Sequence, residues 1–369
     1  MRVFHCDHCR QSIFFENVVC GNCGHKLAYL QDLRLVASLD AVKEGGELWT
    51  TPIPRAEKRK YRLCENYTKH NVCNWAIPEG DTSPLCRSCR LTQVIPDLSV
   101  AKNLESWRRL ATAKRRMIYS LMEFGLPLRD KLEEPVTGLA FRFMGDPPGG
   151  PRVLTGHDGG VITVNIDEAD DLEREKRRIS MHEPYRTLLG HFRHEIGHYY
   201  WDLLIKNSPA IEGFRKVFGD ERVDYNGALK KHYENGPRPN WNENFVSDYA
   251  SVHPWEDWAE TWAHYLHMTD TLETAAACGL SLKPDRADEP TMDKQPLKPA
   301  RSQTFDEIIS NWFPLTYVLN SLNRGMGLPD AYPFVLPPDA ISKLRFVHVT
   351  ICEAGGRGGK DEGRRQKAE

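Results

Sequence analysis

From Leu188 to Leu204 apolar side chains recur at helical spacing: Leu188, Leu189, Phe192, Ile196, Tyr199, Leu203 and Leu204. Glu183-Pro184 predicts the start of that helix, with proline at its first position. A second stripe, Trp258, Ala259, Trp262, Ala263 and Leu266, follows Pro254. That proline predicts another helix start, and Glu256 and Asp257 suit its positive N-terminal end. Leu104 to Phe124 reads as an amphipathic helix with a basic side, and 212–218, 221–233, 305–323 and 338–346 read as shorter helices. Three runs read as strands, Leu139–Phe143, Pro151–Thr155 and Val161–Ile166, with His157-Asp-Gly-Gly160 as a hairpin turn. Leu33–Arg59 reads as loop with short strands, Ser281–Arg301 as a proline-rich loop, and the glycine-rich charged end as a disordered tail. The pattern has no internal repeat and no phosphate-binding glycine loop.

Composition narrows the classes. A net charge of −2 over 369 residues excludes a strong general attraction to nucleic acid or membranes, though not a local patch. No apolar run is long enough to predict a secretory signal or a membrane span. Ten cysteines without such a signal predict a reducing, cytoplasmic setting in which thiolates hold metal rather than form disulfides.

The cysteines bear this out in their spacing. Cys6-x₂-Cys9-x₁₀-Cys20-x₂-Cys23 places four soft thiolates around one tetrahedral zinc, the pattern of a zinc ribbon. Cys64, Cys73, Cys86 and Cys89 predict a second such site. A ribbon too small to bury a core is held by its metal, so both zincs are expected to be structural. Lys58, Arg59, Lys60, Arg62, Arg87 and Arg90 add basic character that would suit docking to protein or nucleic acid. Pro96 closes this region.

The first stripe contains His194-Glu195-Ile196-Gly197-His198, an H-E-x-x-H motif. Residues four apart share a helix face, so both imidazoles can meet one metal ion, with His191, Glu195 and Asp202 on the same side. The chemistry this suggests is zinc-assisted hydrolysis with Glu195 as the base. Two histidines leave room for a third protein ligand and an open position. Glu256 and Glu260 lie one turn apart on the second helix; one would ligate, and the other would support a ligand histidine from outside. Tyr249 could donate to an oxyanion.

These residues resemble the gluzincin metallopeptidases, in which H-E-x-x-H is followed by E-x-x-x-D/E, and Tyr249 to Glu260 is similar to the catalytic region of anthrax lethal factor. Tyr185 to Asp202 and Tyr249 to Thr274 resemble a bacterial family called putative zinc-binding metallopeptidases, which carries an N-terminal zinc ribbon; the resemblance runs from Cys6 to Val349. It implies His194, His198 and Glu256 as ligands, Glu195 as base, and a small sheet before the active-site helix; Glu260, one turn from Glu256, and Asp202, on the histidine face, are expected as outer support. Val161–Ile166 is then the expected edge strand, to which an extended peptide could add.

The expectation is an α+β protein. Residues 1–96 form a zinc-ribbon region with two Cys₄ clusters, 97–353 a mainly helical zincin-like domain with a small sheet, and 354–369 the tail. Its expected function is zinc-dependent peptide hydrolysis, with one catalytic and two structural zincs, a peptide or protein substrate and no membrane. The rival expectation is a regulatory protein that binds nucleic acid or protein through its ribbons and carries an idle zincin domain. A chain beginning near Ala101 is expected to fold without the ribbons.

Overall fold

The computed structural model describes residues 2–147, 149–180 and 187–365. The first cysteine knuckle is a short hairpin of β1 (Phe4–His5) and β2 (Ser12–Ile13). Five strands follow: β3 (Lys26–Leu30), β4 (Leu35–Ala41), β5 (Leu48–Thr50), β6 (Tyr61–Leu63) and β7 (Trp75–Pro78). They pair antiparallel in sequence order and close into a barrel where β7 returns parallel to β3, with Tyr29 opposite Trp75. Leu27 to Leu30 of β3 are all buried, so this strand lacks the alternation of a half-exposed one. Two four-residue helices, α1 (Glu65–Thr68) and α2 (Arg87–Arg90), each begin just after a cysteine of the second cluster.

Next come β8 (Thr92–Val94), α3 (Ala101–Phe124), β9 (Ala140–Met144), β10 (Gly156–Asp158), β11 (Val161–Asn165) and α4 (Asp171–Ser180). The sheet order is β10-β11-β9-β8. Two expectations are corrected here. Val161–Asn165 is an inner strand, because β10 pairs with it on one side and β9 on the other; among the described residues the edges are β10 and β8. β10 starts at Gly156, whereas 151–155 forms no strand, since Gly159 and Gly160, both at positive φ, make the turn and pairing extends only three residues back from it.

The remaining helices are α5 (Leu188–Leu204), α6 (Ile211–Phe218), α7 (Tyr225–Asn235), α8 (Pro254–Ala277), α9 (Phe305–Gly325) and α10 (Pro338–Arg365). Glu183-Pro184, the expected start of α5, lies outside the described residues; Thr187 caps the helix by accepting from the Gly190 amide at 3.0 Å. Pro254 does open α8. α10 runs well past Phe346: residues 354–365, expected in a disordered tail, continue it, and 366–369 lie outside the described residues. Among the described residues no helix is long and apolar enough to cross a membrane.

The ribbon region and the helical region share one apolar core. Strand β8 precedes Pro96 yet pairs with β9 of the later sheet. Tyr119 of α3 packs edge-on against Phe15 and Tyr29, and Arg2 pairs with Glu123 at 2.8 Å. Basic residues of α3 expected in solvent turn inward. Lys114 is buried and donates to the Ser88 carbonyl at 2.8 Å, and buried Arg115 donates to the Val72 carbonyl. Both carbonyls adjoin cysteines of the second cluster, whose four thiolates around Zn²⁺ would carry a net charge of about −2. A buried cation is tolerated beside such a charge and costs several kcal/mol without one.

Candidate metal centre

Helices α5 and α8 cross at Gly197. A Cβ there would lie 3.0 Å from Ala259 Cα and 3.2 Å from Trp262 Cβ, so the close approach favours glycine. The indole N–H of Trp258 donates to the Gly197 carbonyl at 2.9 Å and ties the crossing. The contact brings the first turn of α8 opposite the histidines of α5.

Three ligand-type atoms converge. Glu256 Oε2 lies 3.0 Å from His194 Nε2 and 3.4 Å from His198 Nε2, and the two Nε2 atoms are 3.1 Å apart. Atoms held about 2.0–2.1 Å from a tetrahedral ion lie about 3.3 Å from each other, so the separations suit zinc. Glu256 Oε2 is buried and has no hydrogen-bond partner, an orphan a cation would satisfy. The other oxygen of Glu256 accepts from the Tyr225 hydroxyl at 2.6 Å. His194 Nδ1 lies 2.7 Å from Glu260 Oε1, and the second Glu260 oxygen accepts from Ser247 Oγ at 2.7 Å. Donation from Nδ1–H to Glu260 leaves the Nε2 lone pair facing Glu256. Burial raises the carboxyl of Glu260, but the imidazole of His194 outweighs it and holds it down to about 2. Burial likewise opposes ionisation of Glu256, and His198 and His194 overcome it, holding it well below the usual carboxylate range.

Glu195 follows His194 and is buried. Its Oε1 is 3.2 Å from His191 Nε2, and His191 Nδ1 is 3.5 Å from Glu168 Oε2. Burial disfavours the charged imidazole, yet the two carboxylates raise His191 to about 9. Burial raises Glu195 too, and His191 reverses the shift, leaving a carboxylate below its ordinary range. Its Oε2 has no hydrogen-bond partner. The Tyr249 ring lies 5.9 Å from that of His194. Burial and nearby Glu256 hold its hydroxyl protonated, as a donor must be.

Asp202, expected as outer support, faces Lys206 at 3.1 Å, and His198 Nδ1 has no hydrogen-bond partner. The helical register is right, but the partner one turn on captures the carboxylate. Trp255 covers His198 at 3.8 Å between ring centroids, and the His157 ring of β10 lies 6.5 Å from that of His198. Tyr225, Ser247, Trp255, His157 and Glu168 carry no motif; Trp255, between Pro254 and Glu256, was the one with a positional signal.

The eight paired cysteines form two groups as spaced, Cys6, Cys9, Cys20, Cys23 and Cys64, Cys73, Cys86, Cys89, and all ten cysteines are free of disulfides. Sulfur separations of 3.6 Å for Cys6–Cys23 and for Cys9–Cys20, and 3.7 Å for Cys73–Cys86, match the about 3.8 Å of thiolates around tetrahedral zinc. Burial pushes the thiols of Cys73 and Cys86 well up, so ionising them together calls for a cation.

Comparison with known proteins agrees with these sites. A family described as "putative zinc-binding metallo-peptidase" matches residues 103–350, and a zinc-ribbon domain matches residues 3–100. The chain is similar to uncharacterized proteins of Mycobacterium bovis and of Mycobacterium tuberculosis strains CDC 1551 and H37Rv, each 43% identical over 354 residues, 96% of this chain and 96% of the relative. No solved structure matches.

Proposed function

The chain belongs to the "putative zinc-binding metallo-peptidase" family, with a zinc ribbon ahead of the peptidase segment, and on that footing we propose that it hydrolyses peptide bonds in a gluzincin-type site. The observation that carries the reading is the orphaned Glu256 Oε2 facing two imidazole lone pairs, with the unpartnered carboxylate oxygen of Glu195 on the next residue of α5. His194, His198 and Glu256 would hold a catalytic zinc, and the two cysteine groups one structural zinc each. When bound, zinc supplies Lewis acidity that acidifies water and polarises a carbonyl. Glu195, ionised and held by His191, accepts the proton of the attacking water and returns it to the leaving amine. Tyr249 donates to the oxygen that gains charge as the carbonyl is attacked. Tyr225 holds the outer oxygen of Glu256, and Glu260 with Ser247 holds the tautomer of His194. An extended substrate adds to the free side of β10, beside His157 and the metal centre.

The free thiols favour a reducing, cytoplasmic setting. A nucleic-acid role for the ribbon face finds little support. Arg59 pairs with Asp32, Lys60 with Glu79 and Arg90 with Asp81, and Arg62 is spent on the carbonyls of Asp81 and Ser83.

The deciding experiment is cleavage of an unbiased peptide library by the zinc-loaded protein and by Glu195→Gln. The expected result is cleavage by the first only, at equal zinc content. No cleavage by a fully loaded wild type, or equal cleavage by both, overturns the proposal.

A further inference from the structure

A third cluster of metal-ligand type lies away from these sites, on the outer face of the first knuckle. His8, His25 and Asp40 each bring one ligand atom into a common group. His8 stands between Cys6 and Cys9, His25 follows Cys23 by two residues, and Asp40 lies near the end of β4. Asp40 Oδ1 is 3.1 Å from His8 Nε2 and 3.8 Å from His25 Nε2. These separations bracket the about 3.3 Å expected around a tetrahedral ion and are close to those at His194, His198 and Glu256.

Two contacts prepare the group. His25 Nδ1 lies 3.2 Å from Cys23 Sγ. A zinc-bound thiolate there accepts the Nδ1–H, which leaves the Nε2 lone pair directed toward the Asp40 carboxylate. Two lone-pair donors then face each other, an arrangement a cation between them stabilises. Asp7 Oδ2 accepts from the Ser38 amide at 2.9 Å and from its hydroxyl at 3.1 Å, which fastens the knuckle to β4 two residues before Asp40. The imidazoles stack with centroids 3.6 Å apart. Ligation by both imidazoles would require the partly exposed His8 ring to leave this stack and turn about Cβ–Cγ, so that Nε2 meets the point that His25 and Asp40 face.

We propose that His8, His25 and Asp40 form an exchangeable site for a borderline divalent transition metal such as Zn²⁺, Co²⁺ or Ni²⁺. Two imidazoles select these ions over Mg²⁺ and Ca²⁺, which prefer oxygen ligands. Three ligands on an exposed face leave a coordination position open to water or to a side chain of another molecule. The site uses none of the Cys₄ ligands beneath it, and is joined to that cluster through the His25–Cys23 contact and through His8, which lies between Cys6 and Cys9 in the chain.

The test is titration with Ni²⁺ of the full-length protein, zinc-loaded at its other sites and freed of exchangeable zinc by a weak chelator, followed by calorimetry and by elemental analysis after desalting. Wild type is expected to take up one Ni²⁺ without releasing zinc, unaffected by millimolar Mg²⁺, and His8→Ala to lose that equivalent while keeping all its zinc. Asp40→Asn is expected to weaken uptake at least tenfold. If His8→Ala loses zinc, Asp40→Asn decides the question, because it changes no residue of the knuckle itself. No saturable Ni²⁺ uptake by wild type, or the same uptake by Asp40→Asn, overturns the proposal.

Discussion

Replacing Gly197 with alanine tests whether the α5–α8 crossing sets the geometry of the metal centre. In an isolated helix the change would stabilise by about 1 kcal/mol, because alanine is the better helix former. Here the new Cβ would meet Ala259 Cα at 3.0 Å, Trp262 Cβ at 3.2 Å and the Ala259 carbonyl oxygen at 3.3 Å. Carbon atoms in good contact sit about 3.5–4.0 Å apart, so the helices must part by a few tenths of an ångström. None of the three atoms is the free end of a flexible side chain, so the strain falls on backbone. Overpacking of this kind costs about 1–3 kcal/mol, leaving a net loss of up to about 2 kcal/mol after the helical gain. The shift also draws Glu256 on α8 away from the imidazoles on α5. A loss of about 1.4 kcal/mol in ligation is tenfold in affinity, and at least that weakening is expected for the catalytic zinc. Urea midpoints at unchanged slope measure the first quantity, and competition with a chromophoric chelator the second. A Gly197→Ala protein as stable as wild type, with unaltered zinc competition, would refute the argument.

Other outcomes follow from the same geometry. Glu256→Ala is expected to lose one zinc equivalent, whereas Glu260→Gln keeps it with about 10–100-fold weaker affinity; elemental analysis and chelator competition that give the reverse order would exchange the two roles. Burial pushes His264, between Tyr332 and Phe334, down to about 4, with Glu260 pulling the other way. Its contribution is therefore intact above about pH 6.5, the unfolded value, and is lost as pH falls through the folded value, up to about 3 kcal/mol. Urea midpoints from pH 7 to 4 should fall less steeply in His264→Gln than in wild type, and parallel curves would remove His264 from the account. Lys114→Met is expected to speed zinc release from Cys64, Cys73, Cys86 and Cys89 and to destabilise the fold by about 3–5 kcal/mol; wild-type release kinetics would show the buried cation to be dispensable. A chain beginning near Ala101 is now expected to be insoluble, because it strips β9 of its β8 neighbour and Lys114 of its counter-charge, and recovery of a soluble, cooperatively unfolding product would show otherwise.

The two helices of the candidate metal centre were legible in the sequence because their signals are local. H-E-x-x-H fixes relative positions within one helix, and Pro254 with two acidic residues marks the start of another. The order of the glutamates was open on residue types alone, since both lie on one face of α8. It becomes visible only when α5 is opposite, with Glu256 toward the Nε2 atoms and Glu260 toward Nδ1. Tyr225 escaped because its helix lies in the long connection between the motifs, where nothing in the pattern says which side chain will reach Glu256. The barrel escaped because β5 and β6 are three residues each, too short to show a period. Lys114 and Arg115 misled for a different reason: hydropathy assigns charge to solvent, whereas a metal-thiolate cluster creates an interior that attracts it. Asp202 shows the converse limit, since a correct helical face does not decide which of two neighbours a carboxylate will choose.

The burial of Lys114 against the second cysteine group also bears on the order in which the protein is made. A chain leaves the ribosome N-terminal end first, at roughly 5–20 residues per second. All eight paired cysteines emerge before α3, and the histidines and Glu256 follow on the order of ten seconds or more later. The α3 helix then docks its lysine onto a surface whose charge is already set by captured metal, and α5 and α8 assemble against α3. If both cysteine groups fill with zinc, its supply during synthesis would govern how many molecules reach the native state. In a zinc-poor cell the deficit would appear first as degraded nascent chains, and the surviving molecules would have filled their cysteine sites early.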